Sequence, residues 1–467
     1  MTQITNRSIS SFLNNELKQY GKYVLETRCC PRLMDGLRTG ARKIVYAGLV
    51  DDLSHKKNVK MLNLMGNVLR YEYHHGDSSL LNTIIQLSRS DIIKYKPLEV
   101  IGQVSDLRYD CKVAARYLEV SKDKGLEIFS ADKELWDLME EGGVKIEPKN
   151  FLPIIPMVLL YRTNSPGFGF SFRSFSYKID SIIDLCIKAI SEGTCVDHSV
   201  LNEIQLKPNV EGVKQNNFIY NFVKESWFSV GEYSFDFDSD TLTIFDLPYS
   251  VKLDSYAATL LSLKNRLIIK DWMNLSSGDS IKYVIKFDYG RLRTLYNANK
   301  WNFYQMFRLF SKVTKDTLNV LDDNNNILQI ENPFQLIDIF VKNRLKIYDL
   351  RKVLTIENLK KKIKELSEIV KFINLVISGE LIISKRPIND VKMDLDRFQL
   401  PYTVLKIAIE KLTKEEIQKL EKEIEELKNQ LNYIETTSIK TMYINELIEL
   451  KEKFGEPINN DYYIKIK

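Results

Sequence analysis

The sequence predicts a multidomain α+β protein in which a long antiparallel coiled coil follows two mixed domains. At 467 residues the chain is long enough for about two to four domains, each with its own core. Short helical patterns separated by glycine-containing turns extend from residue 31 to about 120, and an aromatic-rich mixture of strand and helix follows to about 330. From about residue 334 the pattern is that of long helices.

The N-terminal segment, residues 1–30, carries a helical pattern. Apolar side chains recur there at a spacing that places them on one side of a helix. They are Ile9, Leu13, Leu17, Tyr20 and Val24. We therefore expect an N-terminal helical arm.

The next segment, residues 31–145, is predicted to be a domain of small helices. One helix is expected to begin near Asp77, a suitable N-cap. The apolar residues that it would bury are Leu81, Ile84, Ile85 and Leu87. Small helices joined by tight turns are compatible with a helix-turn-helix protein.

The basic charge of the chain is concentrated in its first quarter. Residues 1–117 hold 18 Lys and Arg against 11 Asp and Glu, an excess of +7 in a chain of net charge +5. Such an excess is typical of a surface that binds phosphates, and it is equally typical of a solvated basic face. Charge alone leaves both interpretations open.

The middle segment, residues 146–332, contains the acidic sequence DFDSD at 236–240. A calcium loop would need glycine where Thr241 stands and a closing glutamate where Leu247 stands. The flanking residues alternate between apolar and polar, as they do in strands. We therefore predict a β-hairpin with an acidic turn.

Two heptad runs predict an antiparallel coiled coil formed by residues 333–373 and 413–456. In the second run, Thr413 and Glu416 have the spacing of a capping box. The intervening residues, 374–412, are expected to form a small globule that reverses the chain. Residues 457–467 would be a C-terminal tail. The apolar heptad positions are Ile356, Leu359, Ile363, Leu366 and Ile373, and then Ile417, Leu420, Ile424, Leu427, Leu431 and Ile434.

Composition argues against several classes of protein. The five cysteines include no CxxC pair, and there are only four histidines, so neither a disulfide framework nor a zinc site is predicted. The longest apolar run, FLPIIPMVLLY at 151–161, is too short to span a bilayer, and no signal peptide is apparent. We expect a protein without membrane partners that is kept in a reducing cytoplasm, or in the host's cytoplasm if it is viral.

Three arginine-tyrosine pairs are candidates for nucleophilic chemistry: Arg70-Tyr71, Arg108-Tyr109 and Arg116-Tyr117. A phenol titrates near pH ~10 and needs a neighbouring base or cation to act as a nucleophile at neutral pH. The chain has 24 tyrosines, so most of them serve packing. The pairs alone do not identify the reactive one.

Several motifs, taken in order, resemble those of type IIA DNA topoisomerases. The similarity is to the breakage-reunion half, which is the gyrase A subunit in bacteria, and in layout to the medium subunit of phage topoisomerases. The motifs are CCPRLMDGLRTGARKIVYAGL at 29–49, YHHGDSSLLNTI at 73–84, AARY at 114–117, PIIPMVLL at 153–160, LPYS at 247–250, FVKNRLKIYDLRK at 340–352, IEKLTKEEIQKLEKEIEEL at 409–427 and INELIELKEKFGE at 444–456. The resemblance implies a winged-helix DNA-gate domain for 31–145, an α/β tower domain for 146–332 and a C-gate dimerisation globule for 374–412.

The resemblance also implies a nucleophile and its helpers. Tyr117 would attack DNA and form a transient 5′-phosphotyrosyl bond, and Tyr71 and Tyr109 would be structural. Arg116, Arg42 and His75 would act at the reacting phosphate, because guanidinium and imidazole groups suit phosphate oxygens. The implied DNA-binding residues are Arg28, Arg38, Lys43, His74 and Arg108.

The family also has an apolar wedge that inserts between bases. A gapless match places Ser174 at its position, with Phe175 and Phe172 beside it. Either phenylalanine could kink a duplex. The alternative interpretation is that these aromatic residues belong to the core.

Further implications concern cofactors and partners. The family uses Mg²⁺, bound by carboxylates of a TOPRIM domain, and ATP, bound by an ATPase domain. No metal-binding context of that kind and no GxxxxGK[ST] motif occurs here, so both sites are expected on a partner subunit. The chain would bind double-stranded DNA as a homodimer, closed at the DNA gate and the C-gate. We expect DNA relaxation and decatenation, since no DNA-wrapping domain follows the coiled coil. The rival hypothesis is a non-enzymatic, DNA-binding, coiled-coil architectural dimer.

Overall fold

The computed structural model describes residues 8–51, 53–54, 57–197, 204–221, 223–277, 280–408, 412–455 and 463–465. It is a mixed α+β structure, as predicted. The chain forms two compact units, one of residues Met1–Val341 with Leu447–Lys467 and one of residues Lys342–Glu446. The finer division into six segments stays a prediction.

The N-terminal arm is helical from Ile9 to Cys29, with wider π-type winding at Leu13–Leu17 and Leu25–Cys29. Ser8 caps it by accepting a hydrogen bond from the amide of Ser11 at 3.1 Å. Its apolar stripe remains largely uncovered in this chain. The most exposed members of that stripe are Ile9, Leu13 and Tyr20.

The predicted helical domain contains three helices and a three-stranded antiparallel sheet, and the second and third helices contact the sheet. The helices are Thr39–Val50, Met61–Leu69 and Asp77–Leu87, and the strands, in sheet order, are Val59–Lys60, Glu119–Lys122 and Leu98–Ile101. The third helix differs from its prediction in two details. Gly76 occupies the N-cap position and Asp77 lies in the first turn, and Leu80 is buried where Leu81 was expected. The other three predicted core residues, Ile84, Ile85 and Leu87, are buried as expected.

The middle of the chain contains a four-stranded antiparallel sheet covered by helices. The predicted acidic hairpin is confirmed, since Tyr233–Asp236 pairs with Thr241–Ile244. The Asp240 carboxylate accepts hydrogen bonds from the amides of Gly290 at 2.6 Å and Leu292 at 3.3 Å, so it caps the start of the helix Arg291–Ala298. The sheet is completed by Tyr283–Lys286 and Asp271–Asn274, and the covering helices are Leu253–Asn265, Arg291–Ala298 and Lys300–Met306.

Smaller elements complete the first unit. A three-stranded sheet consists of Phe310–Lys312, Ser226–Val230 and Phe218–Asn221. Two-stranded pairs are Leu138–Glu141 with Val144–Pro148, Thr163–Pro166 with Ser171–Ser174, Leu318–Leu321 with Ile327–Ile330, and Ile204–Leu206 with Tyr463–Lys465. One further helix is Ile179–Glu192, and single helical turns are Ala115–Tyr117, Lys124–Ser130, Lys133–Leu135, Met157–Leu159 and Gln215–Asn217.

The long helices follow the heptad pattern. They are Pro333–Ile377, Lys414–Thr436 and Ile439–Phe454. Within the second unit, Lys362 pairs with Glu423 at 3.0 Å and Lys360 with Glu435 at 2.8 Å, so residue numbers rise along one helix as they fall along the other, as predicted for an antiparallel pair. The predicted cap is present, since the Thr413 hydroxyl accepts from the amide of Glu416.

Between these helices the chain forms a small helical cluster. The helix Ile388–Arg397 and the single turn Tyr402–Lys406 pack their apolar side chains against the end of the long helix. Its buried residues are Phe372, Ile373, Leu381, Leu395, Leu400, Val404 and Leu420. In the part of the chain that the structure describes, no helix is both long enough and apolar enough to cross a membrane.

Candidate nucleic-acid interface

A buried carboxylate organises the turn that begins the DGLR sequence. Asp35 accepts hydrogen bonds from the amides of Leu37 at 2.9 Å and Phe151 at 3.1 Å. Gly36 adopts φ +67°, and a Cβ there would lie 2.5 Å from the amide nitrogen of Val158. Only glycine combines that backbone angle with so close an approach. The turn therefore has a fixed shape before the helix Thr39–Val50 begins.

Arg42 and Lys43 are buried beneath this turn. Arg42 is 2% exposed and forms a two-pronged ion pair with Asp35, Nε to Oδ2 at 2.6 Å and Nη2 to Oδ1 at 3.1 Å. Lys43 donates to Glu147 Oε2 at 2.8 Å and to the carbonyl oxygen of Tyr71 at 2.6 Å. In this single chain the donors of both side chains are used inside the protein, so their predicted place at a phosphate stays a prediction.

The two buried ion pairs, Arg42 with Asp35 and Lys43 with Glu147, support the surface above them and are called the buried frame below. Burial raises the pKa of Glu147, and the Lys43 ammonium opposes that rise. Removing one partner from such a pair leaves an uncompensated charge in the interior. The structure thus assigns Arg42 and Lys43 the task of holding the helix, while other cations face outward.

A groove of about 450 Å³ lies over this frame. Arg28, Arg38, His74 and His75 line it, and among the described residues no Asp or Glu does. Arg28 is exposed, and its guanidinium lies 5.8 Å from the centre of the Tyr23 ring. The only side-chain hydrogen bond of Arg38 in the described part of the chain is long, at 3.5 Å to the carbonyl oxygen of Arg28. The groove brings these four predicted residues together on a surface whose charge suits an anion.

The two histidines of the groove differ in their surroundings. His75 is half-buried, and its ring meets that of Tyr73 edge-on with 5.4 Å between centroids. Burial lowers the pKa of His75, and the positive charges of Arg28, His74 and Lys43 lower it further. His74 is exposed, with Nε2 at 2.9 Å from Glu141 Oε1. A neutral His75 beside two arginines can donate a hydrogen bond to a phosphate oxygen, or it can accept a proton close to that oxygen.

Tyr117 ends a single helical turn, Ala115–Tyr117, that enters the strand Glu119–Lys122. Leu118 is fully buried and anchors the turn, whereas Arg116 and Tyr117 are exposed to solvent. Tyr117 is 73% exposed. Neither residue lines the groove in this single chain. The nucleophile candidate is therefore presented on the surface with its arginine.

The competing tyrosines are held differently. The Tyr71 hydroxyl donates to Asp51 Oδ1 at 3.1 Å, and burial, with the nearby Asp51, raises the pKa of Tyr71 to about 12. A phenol with a raised pKa is a poor nucleophile at neutral pH. Tyr109 is 43% exposed and lies in the loop before Tyr117. Only Tyr117 of the three arginine-linked tyrosines combines wide exposure with an exposed arginine.

Arg108, predicted as a DNA-binding position in the loop before Tyr117, lies outside the groove lining and is bonded inside the protein. Its guanidinium donates to Asp246 Oδ1 at 2.7 Å and to the carbonyl oxygens of Leu247, Pro248 and Val251 at 2.8, 2.9 and 3.3 Å. Burial lowers its pKa, and the Asp246 carboxylate opposes this. Its guanidinium is thus committed within the protein. Arg108 fastens the loop that precedes Tyr117 to the segment 246–251.

The predicted wedge residues are also internal. Ser174, Phe175 and Phe172 are 1%, 6% and 1% exposed. The Ser174 hydroxyl donates to the carbonyl oxygen of Val158 at 2.9 Å, and the Phe175 ring packs edge-on against that of Tyr249 at 5.4 Å. In this single chain Ser174 and Phe175 belong to the core, which favours the alternative interpretation, and the wedge assignment stays a prediction.

Sequence reasoning missed two kinds of residue. Asp35 and Glu147 hold the buried cations, and Asp35 could have been noticed as the only acid within the DGLR block. Arg173 was overlooked beside Ser174. The alternation of the strand Ser171–Ser174, with Phe172 and Ser174 buried, marks Arg173 as outward-facing.

Comparisons with known proteins identify the family. Residues 28–451 match the family model for the A subunit of DNA gyrase/topoisomerase IV. DNA topoisomerase 2 of Plasmodium falciparum is 26% identical over 499 residues, which cover 95% of this chain and 34% of that protein. The mitochondrial DNA topoisomerase 2 of Dictyostelium discoideum is 24% identical over 462 residues, covering 94% and 35%. This chain therefore spans about a third of the length of these relatives.

A solved structure agrees with the sequence comparisons. The DNA-binding, cleavage and re-ligation domain of Plasmodium falciparum topoisomerase II superposes with a TM-score of 0.81 at 25% identity. The match covers 95% of this chain and 64% of that one. The particular similarity to phage enzymes stays a prediction. From the family model and the fold, the chain belongs to the family of DNA gyrase and topoisomerase IV A subunits.

Proposed function

We propose that this chain is the DNA-cleaving part of an ATP-dependent type IIA DNA topoisomerase, an isomerase that passes one duplex through a transient break in another. The observation that carries the proposal is that this family member presents Arg116 and Tyr117 together on an exposed short turn. The competing tyrosine, Tyr71, is instead hydrogen-bonded to a carboxylate. Relaxation and decatenation are the reactions that we assign to the assembled enzyme.

The proposed step is a transesterification. Tyr117 Oη bonds to a backbone phosphorus, the bond from phosphorus to the 3′ oxygen breaks, and the phenolic proton passes to solvent or a nearby base as the 3′-hydroxyl leaves. A 5′-phosphotyrosyl ester replaces one phosphodiester by another, so the 3′-hydroxyl can reverse the reaction. The phosphoryl oxygens carry extra negative charge in the transition state, and Arg116 is placed by the chain itself to stabilise them.

The groove holds the DNA backbone in this proposal. Arg28 and Arg38 supply charge, and His74 and His75 supply ring nitrogens, on a surface whose described lining has no carboxylate. Phosphate contacts of this kind dominate affinity for duplex DNA and make it fall with salt. His75 would hydrogen-bond a phosphate oxygen at the cut or assist proton transfer.

Magnesium and ATP are assigned to a partner. Among the described residues no group of three or more His, Cys, Asp or Glu could hold a metal ion, so the side chains present do not fit the Mg²⁺ that the family implies. We propose that a TOPRIM-ATPase subunit provides the carboxylates for Mg²⁺ and the site for ATP. The complex would act in the cytoplasm, that of a host cell if the protein is viral.

A second copy of the chain is the other proposed partner. The helical cluster at 374–412 leaves several large apolar side chains exposed, which is unusual for a surface in contact with water alone. We propose that this face closes a homodimer at the C-gate, in addition to contacts at the DNA gate. The exposed residues are Ile377, Ile382, Ile388, Met393 and Tyr402.

The decisive experiment uses the chain reconstituted with a TOPRIM-ATPase partner, Mg²⁺ and duplex DNA, and traps covalent complexes with detergent. Tyr117→Phe removes one exposed oxygen, so we expect the covalent complex to vanish while stability and duplex binding are kept. Tyr109→Phe, the matched control with its own preceding arginine, should retain the complex.

Peptide mapping should find a 5′ phosphate on Tyr117. An adduct on Tyr109, or an undiminished adduct in the Tyr117→Phe protein, would contradict the proposal. A wild-type protein that binds duplex DNA as a dimer and never forms an adduct would favour the architectural-dimer hypothesis.

A further inference from the structure

A second basic pocket, of about 360 Å³, lies in the first unit beside the groove. Three arginines line it: Arg38, Arg162 and Arg173. The remaining described lining is uncharged, and its hydrogen-bonding side chains are Gln86, Thr163, Asn164, Ser174, Tyr249 and Thr314. A concave surface rich in guanidinium groups, with no carboxylate among its described lining residues, favours an anion.

The arginines of this pocket are not equally free to bind. Arg162 is committed, since its Nη2 lies 2.7 Å from Asp91 Oδ2 and its Nε donates to the Asp91 carbonyl oxygen at 2.9 Å. Within the described residues, the Arg173 side chain makes no hydrogen bond or ion pair, although its backbone pairs with Thr317. The acid behind it, Asp316, already accepts from the Phe175 amide at 2.9 Å and from the Tyr177 hydroxyl.

Arg38 connects the pocket to the groove, because it lines both cavities. Among the described residues its side chain makes a single long hydrogen bond, to the Arg28 carbonyl oxygen, which leaves most of its donors available. The buried residues first expected to form a wedge, Ser174 and Phe175, instead form part of the pocket wall and fix the strand that presents Arg173.

We propose that Arg173, together with Arg38, binds a second backbone phosphate of the duplex that the groove holds. The N–H groups on one edge of a guanidinium match two phosphate oxygens. An arginine outside any ion pair can make that contact without first breaking an ion pair. The inference rests on the proposed function for the identity of the ligand. Arg173 is a positioning residue, since it sets the path of the DNA on the protein.

The test measures binding of the full chain to a fluorescent duplex over a range of salt concentrations. Arg173→Gln should weaken binding about tenfold at low salt and reduce the slope of log K against log salt by about 0.9, the value for one lost phosphate contact. Arg173→Lys should restore part of the affinity. Arg266→Gln is the control, because Arg266 is exposed in the same unit and lies outside the pocket.

Position is read from duplexes that carry one neutral methylphosphonate at a time. One substitution should weaken the wild type and leave the Arg173→Gln protein unaffected. An unchanged salt slope in Arg173→Gln, or an equal change in Arg266→Gln, would overturn the proposal. The proposal would also be overturned if Arg173→Gln removed only the inhibition of duplex binding by inorganic phosphate. That result would indicate a site for a small anion.

Failure of this inference can be separated from failure of the proposed function. Adduct formation by the wild-type chain with the partner subunit tests the cleavage function independently of Arg173. If the salt slope falls as expected and the wild type forms no adduct, the second phosphate site stands and the cleavage function falls. Circular dichroism and thermal unfolding should be those of the wild type in both glutamine variants.

Discussion

The turn-and-helix segment from Asp35 to Lys43 and the short turn that ends at Tyr117 hold their cations in opposite ways. In the first, Arg42 is 2% exposed and its guanidinium donates to acceptors within the protein. In the second, Arg116 is exposed beside a tyrosine that is 73% exposed. Both segments come from motifs shared with the same family. An arginine of a family motif can therefore support the backbone of a site without contacting the substrate.

The difference has a physical reason. A buried ion pair with good geometry fixes two side chains and the backbone around them, at the cost of desolvating both charges. An exposed arginine and tyrosine keep their rotamer freedom until a ligand orders them. We therefore expect the groove above Asp35 to be shaped before DNA binds, and the Tyr117 turn to reach its final geometry only on the DNA. Three substitutions test this contrast.

The largest effect, on the free energy of unfolding, should come from breaking a buried ion pair of the frame. Arg42→Met leaves the Asp35 carboxylate buried without its cation, so we expect the free energy of unfolding to fall by about 3–5 kcal/mol. Arg38→Met is the matched control, since Arg38 lies four residues earlier on the same segment and forms only one long hydrogen bond in the described part of the chain. That variant should stay within about 0.5 kcal/mol of the wild type and lose DNA affinity.

Urea unfolding and duplex binding of the two methionine variants decide the comparison. A stable Arg42→Met protein with a specific loss of cleavage would show that Arg42 reaches the phosphate after all. In that case the ion pair with Asp35 would have to open when DNA binds.

The next effect concerns the exposed turn. Arg116→Ala keeps the nucleophile and removes a donor from the transition state, so the rate of covalent complex formation should fall by about 10²–10³, as for the loss of an oxyanion donor. Because Arg116 is exposed, unfolding should hardly change. Single-turnover cleavage by the reconstituted enzyme measures the rate. A normal rate, or a loss explained by weaker DNA binding alone, would place Arg116 away from the reacting phosphate.

The sequence predicted much of the fold because periodicity reports it directly. Heptads predicted the long helices, Thr413 predicted a cap, and alternation around DFDSD predicted the hairpin. The buried face of a helix was predicted less closely, since Leu80 and not Leu81 lies in the core. Helix position depends on a rotation of about 100° per residue, and an apolar pair such as Leu80-Leu81 does not say which member faces inward.

The site was predicted in part. Arg28, Arg38, His74 and His75 do share one groove, whereas Arg42, Lys43 and Arg108 hold carboxylates inside the protein. The sequence shows that an arginine is present but not which carboxylate the fold brings to it. Glu147 lies 104 residues from Lys43, and Asp246 lies 138 residues from Arg108. Pairings at that separation are set by tertiary structure, beyond the reach of local patterns.

The smallest predicted effect distinguishes the two histidines of the groove by pH. Burial and nearby cations lower the pKa of His75, so the folded protein binds its proton less readily than the unfolded chain does. Stability attributable to His75 is therefore present above the unfolded value of about 6.5 and is lost as the pH falls below it. A bound phosphate would raise the same pKa, so DNA affinity should increase over that pH range while stability decreases. His75→Gln should reduce both slopes. His74→Gln, which removes an exposed ring bonded to Glu141 and only one of the charges that lower the pKa of His75, should change them less. Anisotropy titrations and urea unfolding between about pH 5.5 and 7.5 measure the two slopes, and equal responses from the two variants would refute a special place for His75 at the phosphate.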